Sequence, residues 1–343
     1  MINKLAIIID LSDGGSFKFY KNFFYSLINK LEQVNLIDIS KIIKKKNIED
    51  FRELNSDALT SNHPFWANAA DAEIEFCLAS SDPNGNPTDG ITRTYTDSVE
   101  FVGSGYGSEK FTATGGEDNW DATSYLNIWV CNLSGGLLGY ATFPDALISN
   151  PDEDGVVIRY QAFGDEGTAG SGQFATNNLG RTATHEVGHW LNLLHIWGDN
   201  QPNCGDDLVS DTEPADEPNF QCPSFPLDPF NACGTGADGE MYMNFMDYVD
   251  DGCMNMFTNG QALRMNAALN NERSGLLTSS GCDAPTLVKE STVKQLFEIY
   301  PNPASKQIYF LNQEPTITIT EIELLDIQGK SIGKFIESQN YIS

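Results

Sequence analysis

The chain's apolar residues recur with the period of strands in some segments and of helices in others. Ala72–Ala79 (AEIEFCLA) alternates apolar and polar side chains, as a strand with one buried face must. Tyr125–Asn132 (YLNIWVCN) is nearly continuous in its apolar character and ends at a Ser-Gly-Gly break, and Val156–Ala162 (VVIRYQA) predicts a third strand. Near the start, Leu5–Ile9 predicts a short strand and Phe17–Leu31 an aromatic-rich helix, followed by the lysine-rich piece Lys41–Lys46. A Gly-rich stretch at 164–172 leads into Leu179–Leu194, the clearest helical pattern of the chain. Residues 199–240 are rich in Pro, Gly, Asp and Cys and predict no long element, and a further helix is expected at about Gln261–Asn271 after the Asn259-Gly260 turn. From Phe297 the pattern alternates again (ITITEIELLDI), as β-structure does.

Composition narrows the function. Apolar residues make up 40% of the 343, which is globular, and the formal net charge is −28 with a pI of about 4.2. Such acidity argues against nucleic acids and anionic membrane surfaces, because both require basic patches. Nine of the 20 Lys and Arg lie in residues 1–55 and only six in residues 56–288, a composition shift that sets the front apart from the body. The acidic body suits Ca²⁺ and basic substrates, and equally a merely soluble secreted protein. No run approaches the ~20 apolar residues of a membrane-spanning helix. Leu5–Ile9 is also shorter than the ~7–15 residues of a secretory apolar region, so no export signal is visible.

Of seven cysteines, Cys204, Cys222, Cys233 and Cys253 are separated by 18, 11 and 20 residues in the loop-rich stretch. That pattern reads as disulfide stapling in an oxidising compartment rather than a structural zinc site, which would pair its ligands closely. Cys77, Cys131 and Cys282 are left unassigned.

The candidate chemistry lies in Thr184-His185-Glu186-Val187-Gly188-His189-Trp190-Leu191-Asn192-Leu193-Leu194-His195. On a helix, His185 and His189 stand one turn apart on one face, the spacing that lets two imidazoles hold one Zn²⁺. Glu186, displaced around the helix, is placed to act as general base toward the attacking water without ligating the metal. His195 requires the chain to turn at about Asn192, where left-handed dihedrals favour Gly and Asn tolerates them next best. Three of the chain's four histidines fall in this window, which argues against ordinary helix histidines; His63 reads as a loop or surface residue.

Past this helix the chain resembles the pappalysin-like metzincins, secreted zinc endopeptidases. NLGRTATHEVGHWLNLLHIWGD resembles their helix and its exit, MYMNFMDYVDDGCMNMFTNGQALRM their Met-turn region, and YLNIWVCNLSGGLLGYATFP with DGVVI is also similar, a likeness covering roughly residues 50–283. The resemblance implies an α/β metzincin-type catalytic domain, with a twisted mixed sheet and active-site helix above a loop-rich, disulfide-stapled lower part. It implies one catalytic zinc on His185, His189 and His195, with Glu186 as base and Met246 as the Met-turn floor. Tyr248 would donate to the oxyanion, or else be a packing aromatic. By the same likeness the bridges are Cys204–Cys233 and Cys222–Cys253. Asp206, Asp207, Asp211 and Thr212 resemble a Ca²⁺ segment, though an acidic solvated loop reads the same way. Asp250 and Asp251 would give an S1′ preference for basic residues, with plain solvent exposure as the bland alternative.

The tail (YPNPASKQIYF, then LLDIQGK) resembles the C-terminal sorting module of type IX secretion, a small β-sandwich, here incomplete. The expected organisation is an atypical segment of doubtful origin at 1–47, the catalytic domain at 48–283, a linker at 284–296 and the partial β-module at 297–343. The expected partners are peptide or protein substrates and the type IX machinery, with secretion or display at the cell surface. A rival of another class is an inactive relic serving in adhesion, against which the intact Glu186 speaks.

Overall fold

The near-continuous apolar run becomes β4 (Leu126–Cys131), and all six of its residues are buried, as in a central strand covered on both faces. The structure is a computed structural model; it describes residues 49–102, 107–165, 169–199 and 204–283, together with the backbone of strands within 3–13 and 297–342. β4 runs parallel to β1 (Asn3–Asp13) on one side and to β6 (Val156–Arg159) on the other. β2 (Ile74–Leu78) and β3 (Ile91–Tyr95) pair in parallel with successive halves of β1, Asn3–Ile7 and Ile9–Asp13. β5 (Gly139–Ala141) adds to β6 antiparallel, so the sheet is mixed.

The two-residue period of the strands divides the core. Leu126, Ile128 and Val130 of β4 and Val156 and Ile158 of β6 enter the main apolar cluster. Their neighbours Trp129, Cys131 and Val157 meet Phe101 and Leu133 on the opposite face. The main cluster also takes in Val187, Trp190 and Leu191 of the helical segment, so the sheet and the candidate zinc helix share one core.

Helices among the described residues include α1 (Ala146–Ser149), α2 (Arg181–Trp190) and α3 (Asn259–Asn270). α3 begins with a capping box between Thr258 and Gln261. β3 and β5 have no counterpart among the sequence expectations. ITRTY is half polar and GYA only three residues long, and both are strands because a sheet edge offers them hydrogen bonds. Between 204 and 240 no helix or strand occurs among the described residues.

Three disulfides tie the unit together: Cys204–Cys233, Cys222–Cys253 and Cys77–Cys282, the last joining β2 to residue 282. The chain divides into two compact units, Met1–Pro285 and Thr286–Ser343. Strand β1 belongs to the first, and so part of the segment set apart by composition is built into the sheet. The helix expected at Phe17–Leu31, the lysine-rich piece and the 284–296 linker lie outside the described residues. In the second unit, β7 (Phe297–Tyr300), β8 (Ile308–Asn312) and β11 (Tyr341–Ile342) form one antiparallel sheet, and β9 (Glu321–Leu325) and β10 (Ser331–Ile336) another.

Candidate metal centre and active site

α2 is fixed at both ends. At its start Gly180 is left-handed (φ 74°) and no side chain of the cap residue closes the helix. The Asp251 carboxylate accepts from the backbone N–H of Leu179 (2.8 Å) and Arg181 (3.3 Å) instead, a negative charge where exposed amides want one. The buried Arg181 guanidinium grips Asp57 with two bonds, 2.7 and 2.6 Å, and donates to the Asp251 carbonyl. At the far end Arg273 donates to Trp190 O (2.8 Å), lies over its indole at 3.8 Å, and pairs with Asp154 inside the protein. Trp190 Nε1 also donates to Asp154, at 3.0 Å.

The helix stops at Trp190, and Asn192 takes a left-handed φ of 76°, the turn that His195 needs to reach its companions. The Nε2 atoms of His185, His189 and His195 then stand 3.0–3.2 Å apart. Each Nδ1 faces an acceptor: Phe245 O (2.7 Å) for His185, Leu193 O (2.8 Å) for His189, and the Asp199 carboxylate for His195. A carbonyl or carboxylate only accepts, so each Nδ1 carries the hydrogen and each Nε2 presents a bare lone pair. Three converging lone pairs repel unless a cation lies among them, and ligands ~2.0–2.1 Å from a tetrahedral zinc would be about 3.3 Å apart. The residues fit Zn²⁺, each ligand's other ring nitrogen donating to an oxygen as zinc histidines do.

Burial and mutual repulsion hold the His185 imidazole neutral far below its usual range, and burial with repulsion from His195 brings His189 to about 4. Neutral imidazole is the ligating form. Glu186 is buried, and desolvation raises its carboxyl to about 8; a cation beside it acts in the opposite direction. Its side chain abuts β5: a Cβ on Gly139 would lie 2.9 Å from Glu186 Cγ, so only glycine leaves it room. Met246 is fully buried against the helix, and a Cβ on Gly188 would come within 2.5 Å of its sulfur. Met246 N donates to Asn244 Oδ1 (2.9 Å), and Asn244 exchanges amide bonds with Gln261, so the turn hangs from α3. The Tyr248 ring stands 4.8 Å from His195 and 5.5 Å from His185 and is 44% exposed. Burial and the nearby Glu186 push its hydroxyl to about 12, which keeps it a donor.

The structure brings His185, Glu186, His189, His195, Met246 and Tyr248 together, and it sets other expected residues apart. Asp251 is buried and accepts from the backbone at the start of α2, and Asp250 is half-buried beside it. The acidic loop expected to resemble a Ca²⁺ segment makes these contacts among the described residues. Asp211 binds Thr258 Oγ1 (2.7 Å) and Gly260 N (2.9 Å) at the head of α3, Thr212 donates to Asp207, and Asp206 caps its own turn at Leu208 N. The acids that do converge are Asp216, Asp228 and Glu240, with ligand atoms within 4.8 Å of one another. Within that group Glu240 also accepts from Asn219 and Asn231.

Comparison with known proteins agrees with this centre. Residues 110–270 match the family model Peptidase_M43, described as pregnancy-associated plasma protein-A. The mature mirolysin of Tannerella forsythia, solved with a cleaved peptide, superposes with a TM-score of 0.71 at 39% identity, covering 83% of this chain and 99% of that one. The chain belongs to the pappalysin-like metzincin family of metallopeptidases. Among curated relatives, an "Extracellular metalloprotease" of Arthroderma otae is 39% identical over 158 residues, 44% of this chain and 53% of that protein. One of the same name from Verticillium alfalfae is 36% identical over 152 residues, 43% and 51% respectively. The chain thus spans about half the length of the curated relatives it matches. Among the described residues no helix is long and apolar enough to cross a membrane.

Sequence reasoning left out Asp199, Trp197, Gly139, Asn244 and Gln261. His195-Ile196-Trp197-Gly198-Asp199 was visible as a motif, but nothing in it tells which side chain returns to the imidazole.

Proposed function

We propose that this chain hydrolyses peptide bonds as a secreted zinc metalloendopeptidase. The observation that carries the reading is the triangle of three bare imidazole nitrogens 3.0–3.2 Å apart, with a buried carboxylate on the same helix. Zinc bound there supplies Lewis acidity toward a scissile carbonyl and the attacking water. Glu186, beside the three nitrogens on the same helix, takes a proton from that water and returns it to the leaving amine. Tyr248, protonated and half-exposed beside His195, donates a hydrogen bond to the charge that develops on the carbonyl oxygen. Gly139 leaves the edge strand close against Glu186, so a substrate reaching the metal passes along that edge.

A preference for basic residues beside the scissile bond now rests on Asp250 and the overall acidity, since Asp251 is occupied. Secretion is supported by the three disulfides and by the names of the relatives; export by the type IX route rests on the tail motif alone.

Cleavage sites in a denatured-protein peptide library, mapped with and without a zinc chelator, test the reading. Cuts should vanish with the chelator and in Glu186→Gln, which is expected to lose at least about 10²-fold in rate while keeping one zinc per chain. Surviving activity in Glu186→Gln overturns the mechanism, and a folded, zinc-loaded chain that makes no cuts overturns the enzyme.

A further inference from the structure

The three histidines are not held alike. His185 and His189 are buried on α2 and donate to main-chain carbonyls, which the fold itself fixes. His195 follows the left-handed turn at Asn192, lies outside the helix, and keeps 14% of its side chain exposed. Its Nδ1 is answered by a side chain, the Asp199 carboxylate four residues on, and the Trp197 indole stacks on its face at 4.4 Å with planes 7° apart. Ring rotation about χ2 is thereby blocked by Trp197 and its angle set by Asp199.

We propose that Asp199 is the positioning residue of the third ligand, an inference that rests on the zinc reading of the site. The carboxylate fixes the tautomer of His195, turns Nε2 toward the other two nitrogens, and lends negative charge to the imidazole so that it binds a divalent cation more strongly. A main-chain carbonyl does the first two but not the third, and so the ligand least restrained by the fold receives the strongest partner.

The test uses the full chain, with Zn²⁺ affinity measured by chelator competition and the geometry read from the visible spectrum of the Co²⁺-loaded protein. Asp199→Ala should bind Zn²⁺ about 10–100-fold more weakly, with an altered Co²⁺ spectrum. Asp199→Asn keeps an acceptor oxygen without the charge and should fall between it and the wild type. Asp152→Ala, which removes an exposed acid elsewhere, controls for the loss of one charge from an acidic protein. Affinity and spectrum unchanged in Asp199→Asn, and in Asp199→Ala where it folds, overturn the positioning role while leaving the zinc site intact. A Zn²⁺ affinity in Asp152→Ala that falls as far as in Asp199→Ala also overturns it. A wild-type chain that takes up no Zn²⁺ overturns the site itself, so the two failures are distinguishable.

Discussion

The helix-bearing part of the catalytic unit and the loop-rich part from 204 to 258 both present groups to one metal centre, by different means. In the first, β4 and β6 bury every side chain, α2 lies on them, and its ends are gripped by Asp251 and Arg181 on one side and Asp154 and Arg273 on the other. In the second there is no helix or strand among the described residues 204–240, which are held by disulfides and side-chain amides, while Phe245 and Met246 beyond them join the apolar cluster of α2. Asn219, for example, binds both oxygens of Asp247, which in turn accepts from Tyr248 N. Ordered ladders and apolar packing fix a region cooperatively; crosslinks and single hydrogen bonds fix it point by point. Damage should therefore spread in the first part and stay local in the second.

The largest effect expected is from Asp154→Ala. It leaves the Arg273 guanidinium buried without its partner, at a cost of about 3–5 kcal/mol in thermal unfolding, and frees the end of α2. Replacing Cys222 and Cys253 together by serine should cost about 3 kcal/mol. Hydrogen exchange should quicken near residues 219–222 and 250–253 while the amides of α2 stay protected. Equal loss of protection in α2 would erase the contrast between the two parts. Asp251→Asn tests the join between them and should cost about 1–2 kcal/mol, since it weakens the bonds to Leu179 and Arg181.

The helix-bearing part also predicts a pH dependence. Lys110 is buried between the Trp129 and Tyr140 rings, and burial lowers its amine to about 8. The folded state then releases this proton before the unfolded chain does, so stability rises with pH from about 8 toward 10.5. Against Lys110→Met, denaturant midpoints should show the wild type gaining up to about 1 kcal/mol between pH 8 and 9; parallel profiles would refute it. The smallest change is expected from Asp211→Ala at the head of α3, about 0.5–1 kcal/mol, with zinc content unaffected.

Much of the site was legible because its chemistry lies in one segment. The i, i+4 histidines and the adjacent glutamate follow from helical spacing alone, and the need for a turn at Asn192 follows from where His195 stands. The strands at 74–78, 126–131 and 156–159 were legible from their apolar pattern. The contacts of Asp251 and Asp211 were not legible, for a shared reason. An acid near a motif looks available on paper, whereas each lies across from a helix start brought close by the fold, 70 residues away for Arg181 and 49 for Gly260. The pairing of Cys77 with Cys282 is 205 residues long and has no local signature at all.

By itself, then, the sequence determined the spacing of the three histidines, the place of Glu186 beside them and the period of several principal elements, since these depend on spacing along a local backbone. The tertiary structure alone decided which acceptor each imidazole faces, which glycines must lack a side chain, and which acids remain free for solvent or substrate. Those outcomes depend on through-space neighbours at 2.5–4 Å, and sequence separation carries no information about them once the chain has folded back upon itself.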